Sequence, residues 1–136
     1  MSKVAIVYWT GTGNTEAMAN HIAEGAKQAG AEVDMYFASE FDSTKVPEYS
    51  TIAFGCPSMG TEQLEDAEFE PMWNEVKDNL GDKKVFLFGS YGWGDGEWMR
   101  TWEDEAPCAI VDTYICNETP GGDQIDQCIE FGSKMA

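Results

Sequence analysis

The sequence holds a single histidine, His21, which gives no basis for a histidine-built metal site or a Ser-His nucleophile pair. Cationic residues are scarce as well: Lys and Arg number 8 against 25 Asp and Glu, a formal net charge of −17 at pH 7. A nucleic acid would be repelled by that charge rather than gripped, and so would an anionic membrane surface. A macromolecular partner should instead be basic. The longest apolar run, Val4–Trp9, is far shorter than the ~20 residues of a spanning helix. Met1-Ser2-Lys3 leads into it with no cleavage-like site, so no signal peptide is expected. Cys56, Cys108, Cys116 and Cys128 form no C-x-x-C pair and read as small buried thiols of a reducing cytoplasm.

What is present suffices for one domain spanning residues 1–136. A chain of this length buries roughly two-thirds of its unfolded surface, and 12% aromatic residues separate it from a disordered acidic tail. Val4–Trp9, Thr51–Gly55 and Lys84–Gly89 are short apolar runs ending at or near turn residues, the signature of strands buried on both faces. Glu32–Phe37 alternates Val33, Met35 and Phe37 as a half-buried strand does, and Cys108–Cys116 predicts a fifth strand. Helical spacing predicts helices over Thr15–Ala29, stopped by Gly30, and over Glu68–Leu80, Trp98–Glu105 and Gln124–Met135. Ser39–Glu48 fits neither pattern. Alternating strands and helices imply an α/β fold, a doubly wound open five-stranded parallel sheet covered by helices on both faces. Ligands of such sheets sit beyond the carboxyl ends of the strands, so the loops there carry the function.

The first of these loops is Thr10-Gly11-Thr12-Gly13-Asn14-Thr15. Two glycines permit a tight turn, and hydroxyls crowd a helix start whose free N–H groups favour an anion. A triphosphate loop would need a Lys that is missing here, and a dinucleotide loop would carry Gly at position 16, where Glu stands. A single phosphate remains, unless Asn14 or Thr15 merely caps the helix. The second loop, Cys56-Pro57-Ser58-Met59-Gly60-Thr61-Glu62, reads on its own as a plain connection. In the third, Ser90-Tyr91-Gly92-Trp93-Gly94-Asp95-Gly96, the indole between glycines either folds back on the core or offers a platform to a planar ligand. Paired with a phosphate cradle, the platform is the better reading. Acidic residues follow each strand end: Glu62, Glu65, Asp66, Glu68 and Glu70, then Asp95, Glu97, Glu103, Asp104 and Glu105, then Glu118, Asp123 and Asp126. They should rim the mouth of one site, although solvated charge is their commonest use.

Together, Val7 to Thr15, Gly89 to Gly96 and the Met59-Gly60 and Glu62 positions resemble the flavodoxins of the short-chain, clostridial type, across essentially the whole chain. That resemblance implies the strand order 2-1-3-4-5 and a non-covalently bound FMN. It implies that Thr10, Gly11, Thr12, Gly13, Asn14 and Thr15 hold the phosphate with help from Ser90. Trp93 would stack on the exposed ring face, Met59 would line the inner face, and Glu62 would bind the N3 hydrogen. Backbone at Tyr91 and Gly92 would meet the pyrimidine side and Asn117 would close the pocket. Trp9, Pro57, Ser58 and Gly94 complete the set.

The resemblance further implies a low-potential one-electron carrier, cytoplasmic and monomeric, cycling between semiquinone and hydroquinone and meeting basic-surfaced redox proteins at its acidic rim. The carbonyl of the Gly60–Thr61 peptide would turn toward the reduced flavin. Thr61 departs from the Gly, Asp, Asn or Ser of many relatives, and its β-branch disfavours positive φ, so Thr61→Gly should raise the first potential. Carboxylates and the lack of Lys or Arg in these loops would make the hydroquinone anion costly and strongly reducing. A second possibility is an FMN-dependent quinone or nitro reductase, which rapid direct reduction by NADPH would reveal. It would need room beside the flavin that Trp93 covers. A receiver-like regulatory domain would need carboxylates where Trp9 and Thr10 stand.

Overall fold

The computed structural model describes residues 3–59 and 63–136. Strands β1 (Lys3–Tyr8), β2 (Glu32–Phe37), β3 (Thr51–Gly55), β4 (Lys84–Tyr91) and β5 (Ile110–Asn117) form one parallel sheet in the order β2-β1-β3-β4-β5. This is the sheet expected from the sequence. The three central strands are apolar on both parities because each face meets a helical layer. Ala5, Val7, Ile52, Phe54, Val85 and Leu87 face one core, which helices α2 (Phe69–Val76) and α3 (Glu97–Glu105) cover with Phe69, Trp73, Trp98 and Trp102. Val4, Ile6, Ala53, Phe86 and Phe88 face the other, beneath α1 (Asn14–Gln28) and α4 (Asp123–Ser133).

The helices of the second layer touch through glycine. A Cβ on Gly25 would lie 1.9 Å from the Ile129 carbonyl oxygen, and one on Gly132 would lie 1.9 Å from that of Ile22. Only hydrogen fits at either position, so the crossing is closer than any side chain would allow. α1 ends where its sequence stops it: Gly30 has φ +102°, and the Ala31 N–H returns to the Ala26 carbonyl at 3.0 Å, closing the helix end.

Several boundaries differ from the sequence expectation. Ser39–Glu48 resolves into two 3-10 turns, Ala38–Glu40 and Val46–Glu48. α2 is shorter than Glu68–Leu80 and passes into a 3-10 turn over Lys77–Asn79. Phe37, expected to point inward, is 48% exposed at the end of edge strand β2, with its ring tilted on Tyr8 at 5.3 Å. β5 starts at Ile110 rather than Cys108, and its register on β4 shifts so that Val85 meets Ile110 while Phe86 meets Asp112. The skipped residue, Val111, faces solvent. An irregularity of this kind on an outer strand disrupts the flat edge that another chain could extend. β4 runs two residues beyond Gly89, so Ser90 and Tyr91 belong to the strand and pair with Cys116 and Asn117.

Candidate functional site

Parallel strands bring the ends of β1, β3, β4 and β5 to one edge of the sheet, and the order reverses between β1 and β3. There the loop from β1 turns into α1. Gly13 takes φ +94° and α1 opens without a side-chain cap, so the capping role open to Asn14 or Thr15 is not realised. The Thr10 hydroxyl instead accepts the Gly13 N–H at 3.0 Å. The first helical N–H groups and the positive end of the helix dipole are thus left for an anion. Gly11 has a different need for glycine: a Cβ there would lie 3.0 Å from the indole of Trp9. That indole donates Nε1–H to Glu68 Oε1 at 3.1 Å.

The ends of β3 and β4 are stitched together. Cys56 N–H donates to the Phe88 carbonyl and Ser58 N–H to the Ser90 carbonyl, each at 3.0 Å. Ser90 is 4% exposed, and its hydroxyl lies 3.4 Å from that of buried Thr15, joining β4 to the start of α1. Met59 and Gln63 exchange backbone hydrogen bonds of 2.8 Å in both directions. Burial pushes the Cys56 thiol far up from its ordinary range, so it is no nucleophile. Trp98, from α3, donates its Nε1–H to the Cys56 carbonyl at 3.2 Å. Trp93 does not fold back on the core: it is 60% exposed. From β5, the Asn117 amide and the Glu118 N–H both donate to the Tyr91 carbonyl, at 3.2 and 2.8 Å.

Between these tips lies an open cleft of about 390 Å³. Among the expected residues, Trp9, Gly11, Thr12, Asn14, Pro57, Ser58, Met59, Ser90, Tyr91, Gly92 and Trp93 line it. Thr10, Gly13, Thr15, Gly94 and Asn117 stand in the surrounding segments, where Thr10, Thr15 and Asn117 hold the lining by the bonds just described. Gly60, Thr61 and Glu62 lie outside the described residues. The expected set lacks one lining residue, Glu118, which has φ +57°. Its place directly after Asn117 at a strand end was the available signal.

Of the acidic residues expected around the mouth, Glu118 lines the cleft, whereas Glu70 and Glu105 border a different hollow beside Trp73 and Trp102 and two others are engaged elsewhere. Glu65 is buried, accepting the N–H groups of Ala67, Glu68 and Phe69 at 2.9, 2.8 and 2.8 Å. Burial alone would raise its pKa, but the three backbone donors outweigh burial and lower it, as a helix-start carboxylate should be. It is a structural cap. Asp95 remains on the surface but pairs with Arg100 at 3.0 Å, so its charge is partly compensated. Asp66, Glu68, Glu97, Glu118 and Asp123 are exposed.

Two features fit these residues to a phosphomonoester carried on a flat ring. The cation-free helix start suits the phosphate, and the hydroxyl of Ser58, on the cleft wall, is buried with no partner among the described residues. A buried hydroxyl so placed is satisfied by a polar ligand atom or water. At the switch point of a doubly wound sheet such a cleft marks a class, the proteins that hold a phosphorylated planar cofactor at the strand tips.

A sequence model of the family described as Flavodoxin matches residues 6–130. The flavodoxin of Megasphaera elsdenii is 45% identical over 136 residues, covering 98% of both chains. That of Clostridium beijerinckii is 42% identical over 134 residues, covering 96% of this chain and 97% of its own. The solution structure of two-electron reduced M. elsdenii flavodoxin superposes with a TM-score of 0.87 at 43% identity, over 96% of this chain and 98% of that one. The chain belongs to the flavodoxin family. It is a small FMN-binding carrier of electrons between redox proteins rather than an enzyme.

Proposed function

We propose that FMN occupies the cleft with its phosphate on the Thr10–Thr15 loop and its ring between Trp93 and Met59, and that the chain acts as one flavodoxin-like domain over residues 1–136. The observation that carries this reading is the start of α1, left uncapped and free of cations at the edge of a cleft walled by an exposed indole. When bound, FMN supplies one-electron chemistry; the protein's own residues set where it sits and how costly charge is there. Backbone N–H groups and the Thr12 and Ser90 hydroxyls serve the phosphate. The Ser58 hydroxyl, buried and without a partner among the described residues, has a donor to offer to a ring heteroatom. Trp93 screens one ring face from water and Met59 the other.

Nearby charge favours a low second potential. Glu118 lines the cleft, and the cation closest in sequence to the three loops, Arg100, is already paired with Asp95. An added negative charge therefore gains little compensation. The exposed carboxylates Asp66, Glu97, Glu118 and Asp123 and the net charge of −17 support docking of redox partners through basic faces, attracted to this rim. Four free thiols suit a reducing cytoplasm, and no helix among the described residues is long and apolar enough to cross a membrane.

Potentiometric titration of the FMN-loaded protein tests the reading. Two separated one-electron steps are expected, the second far below that of free FMN. A single step at the potential of free FMN would show that the residues around the cleft do not govern the cofactor.

A further inference from the structure

Trp9 stands between the anion-binding loop and a carboxylate that arrives from a distant part of the chain. Its indole lies so close to Gly11 that a Cβ there would come within 3.0 Å of Cη2 and 3.2 Å of Cζ3. The ring also borders a hollow of about 110 Å³ lined by Tyr8, Thr10, Phe37, Ala38, Ser39 and Glu68, so packing alone leaves it room to move. A polar contact tethers it there: Nε1–H donates to Glu68 Oε1 at 3.1 Å across 59 residues of sequence. Glu68 sits immediately before α2, yet its side chain makes no capping bond to that helix. Its carboxylate is therefore free to serve Trp9.

We infer that Glu68 is a positioning residue: by holding the indole of Trp9 against Gly11 it fixes the loop that takes the phosphate, and so sets the preference for a phosphorylated flavin. The inference rests on the cofactor placement proposed above. It goes against the simple electrostatic expectation, since a carboxylate near a phosphate site should weaken binding by repulsion. The two effects separate by substitution. Glu68→Gln keeps an acceptor at Oε1 and removes the charge, whereas Glu68→Ala removes both.

The test is equilibrium titration of the apoprotein with FMN and, separately, with riboflavin, on the wild type and both variants. A lost hydrogen bond to a charged acceptor in a half-exposed setting predicts about a tenfold weaker FMN affinity for Glu68→Ala. Riboflavin affinity should change by less than about twofold, because the ring site is untouched. Glu68→Gln should bind FMN at least as tightly as the wild type, and slightly tighter at low salt. In a Trp9→Phe background, which already lacks the N–H, Glu68→Ala should cost nothing more. Equal losses for both ligands would mean general damage to the fold, and FMN binding that tightens alike in Ala and Gln would mean charge alone; either overturns the inference. Wild-type protein that takes up riboflavin and FMN equally would overturn the phosphate placement itself and the inference with it, whereas normal wild-type discrimination with an unaffected Ala variant overturns only the role of Glu68.

Discussion

The hydroxyls of Thr15 and Ser90 meet at 3.4 Å in a buried position, one at the start of α1 and the other on β4. This contact fixes the helix start relative to β4, whose following loop bears Trp93. In the proposed placement, phosphate and ring positions are thereby coupled through the core. Thr15→Val keeps the shape and removes the hydroxyl, leaving Ser90 without this partner. It should lower apoprotein stability by about 1 kcal/mol in urea unfolding and weaken FMN more than riboflavin. Equal affinity for both flavins in the variant would contradict the coupling.

Trp93 separates binding from folding. At 60% exposure it contributes little to the core, so Trp93→Ala should shift stability by no more than about 0.5 kcal/mol. Stacking of an aromatic pair contributes about 0.5–1.5 kcal/mol beyond area burial, so FMN affinity should fall by at least about twofold. A thermal melt beside a fluorescence titration checks both; a large loss of stability with unchanged affinity would place the indole in the core instead.

The pairing of Asp95 with Arg100 sets the sign of two charge substitutions. Arg100→Gln leaves the carboxylate uncompensated and should lower the second reduction potential, while Asp95→Asn releases a cation and should raise it. Both side chains are mostly exposed, so each effect should be small and should fade as salt rises above about 0.1 M. Spectroelectrochemistry at low and high ionic strength measures this. Shifts of the same sign for both variants would remove the rim from the account.

Buried acids predict how stability depends on pH. Glu65 has its pKa lowered by its three backbone donors, against the opposing effect of burial. Its contribution is therefore present above the ordinary carboxylate range and is lost as pH falls through the lowered value. Glu65→Ala should cost about 1–2 kcal/mol near neutrality and progressively less in acid. At the other end, burial pushes the Cys128 thiol up to about 12, and burial together with donation to Glu16 pushes Tyr8 up to about 12. The unfolded chain sheds these protons first, so stability should fall as pH rises from about 9. Denaturant midpoints across that range decide it; a flat alkaline limb would contradict the burial of these groups.

The elements most legible in the sequence were those with a single physical cause. β1, β3 and β4 showed themselves because strands covered on both faces have no polar parity, and the end of α1 because Gly30 adopts a φ that other residues resist. Phe37 misled because alternation in an edge strand does not say how far its last residue stays under cover. Val111 gave no sign of being the skipped residue, since the shift is set by pairing with β4. In the site, the Thr10–Thr15 loop and the indole at Trp93 could be read from composition. The capture of Glu65 by three backbone donors and the link from Glu68 to Trp9 could not, because both depend on how the segment before α2 folds back beside the strand tips.

In the proposed placement the strand tips hold a phosphomonoester through uncharged donors, with a flat ring beside Trp93. Titration of the purified apoprotein with FMN, followed by quenching of flavin fluorescence and compared with riboflavin, tests it most directly. Saturable quenching by FMN, with riboflavin bound far more weakly and inorganic phosphate competing, is the predicted result. Indifference to the phosphate, or no quenching at all, would contradict it.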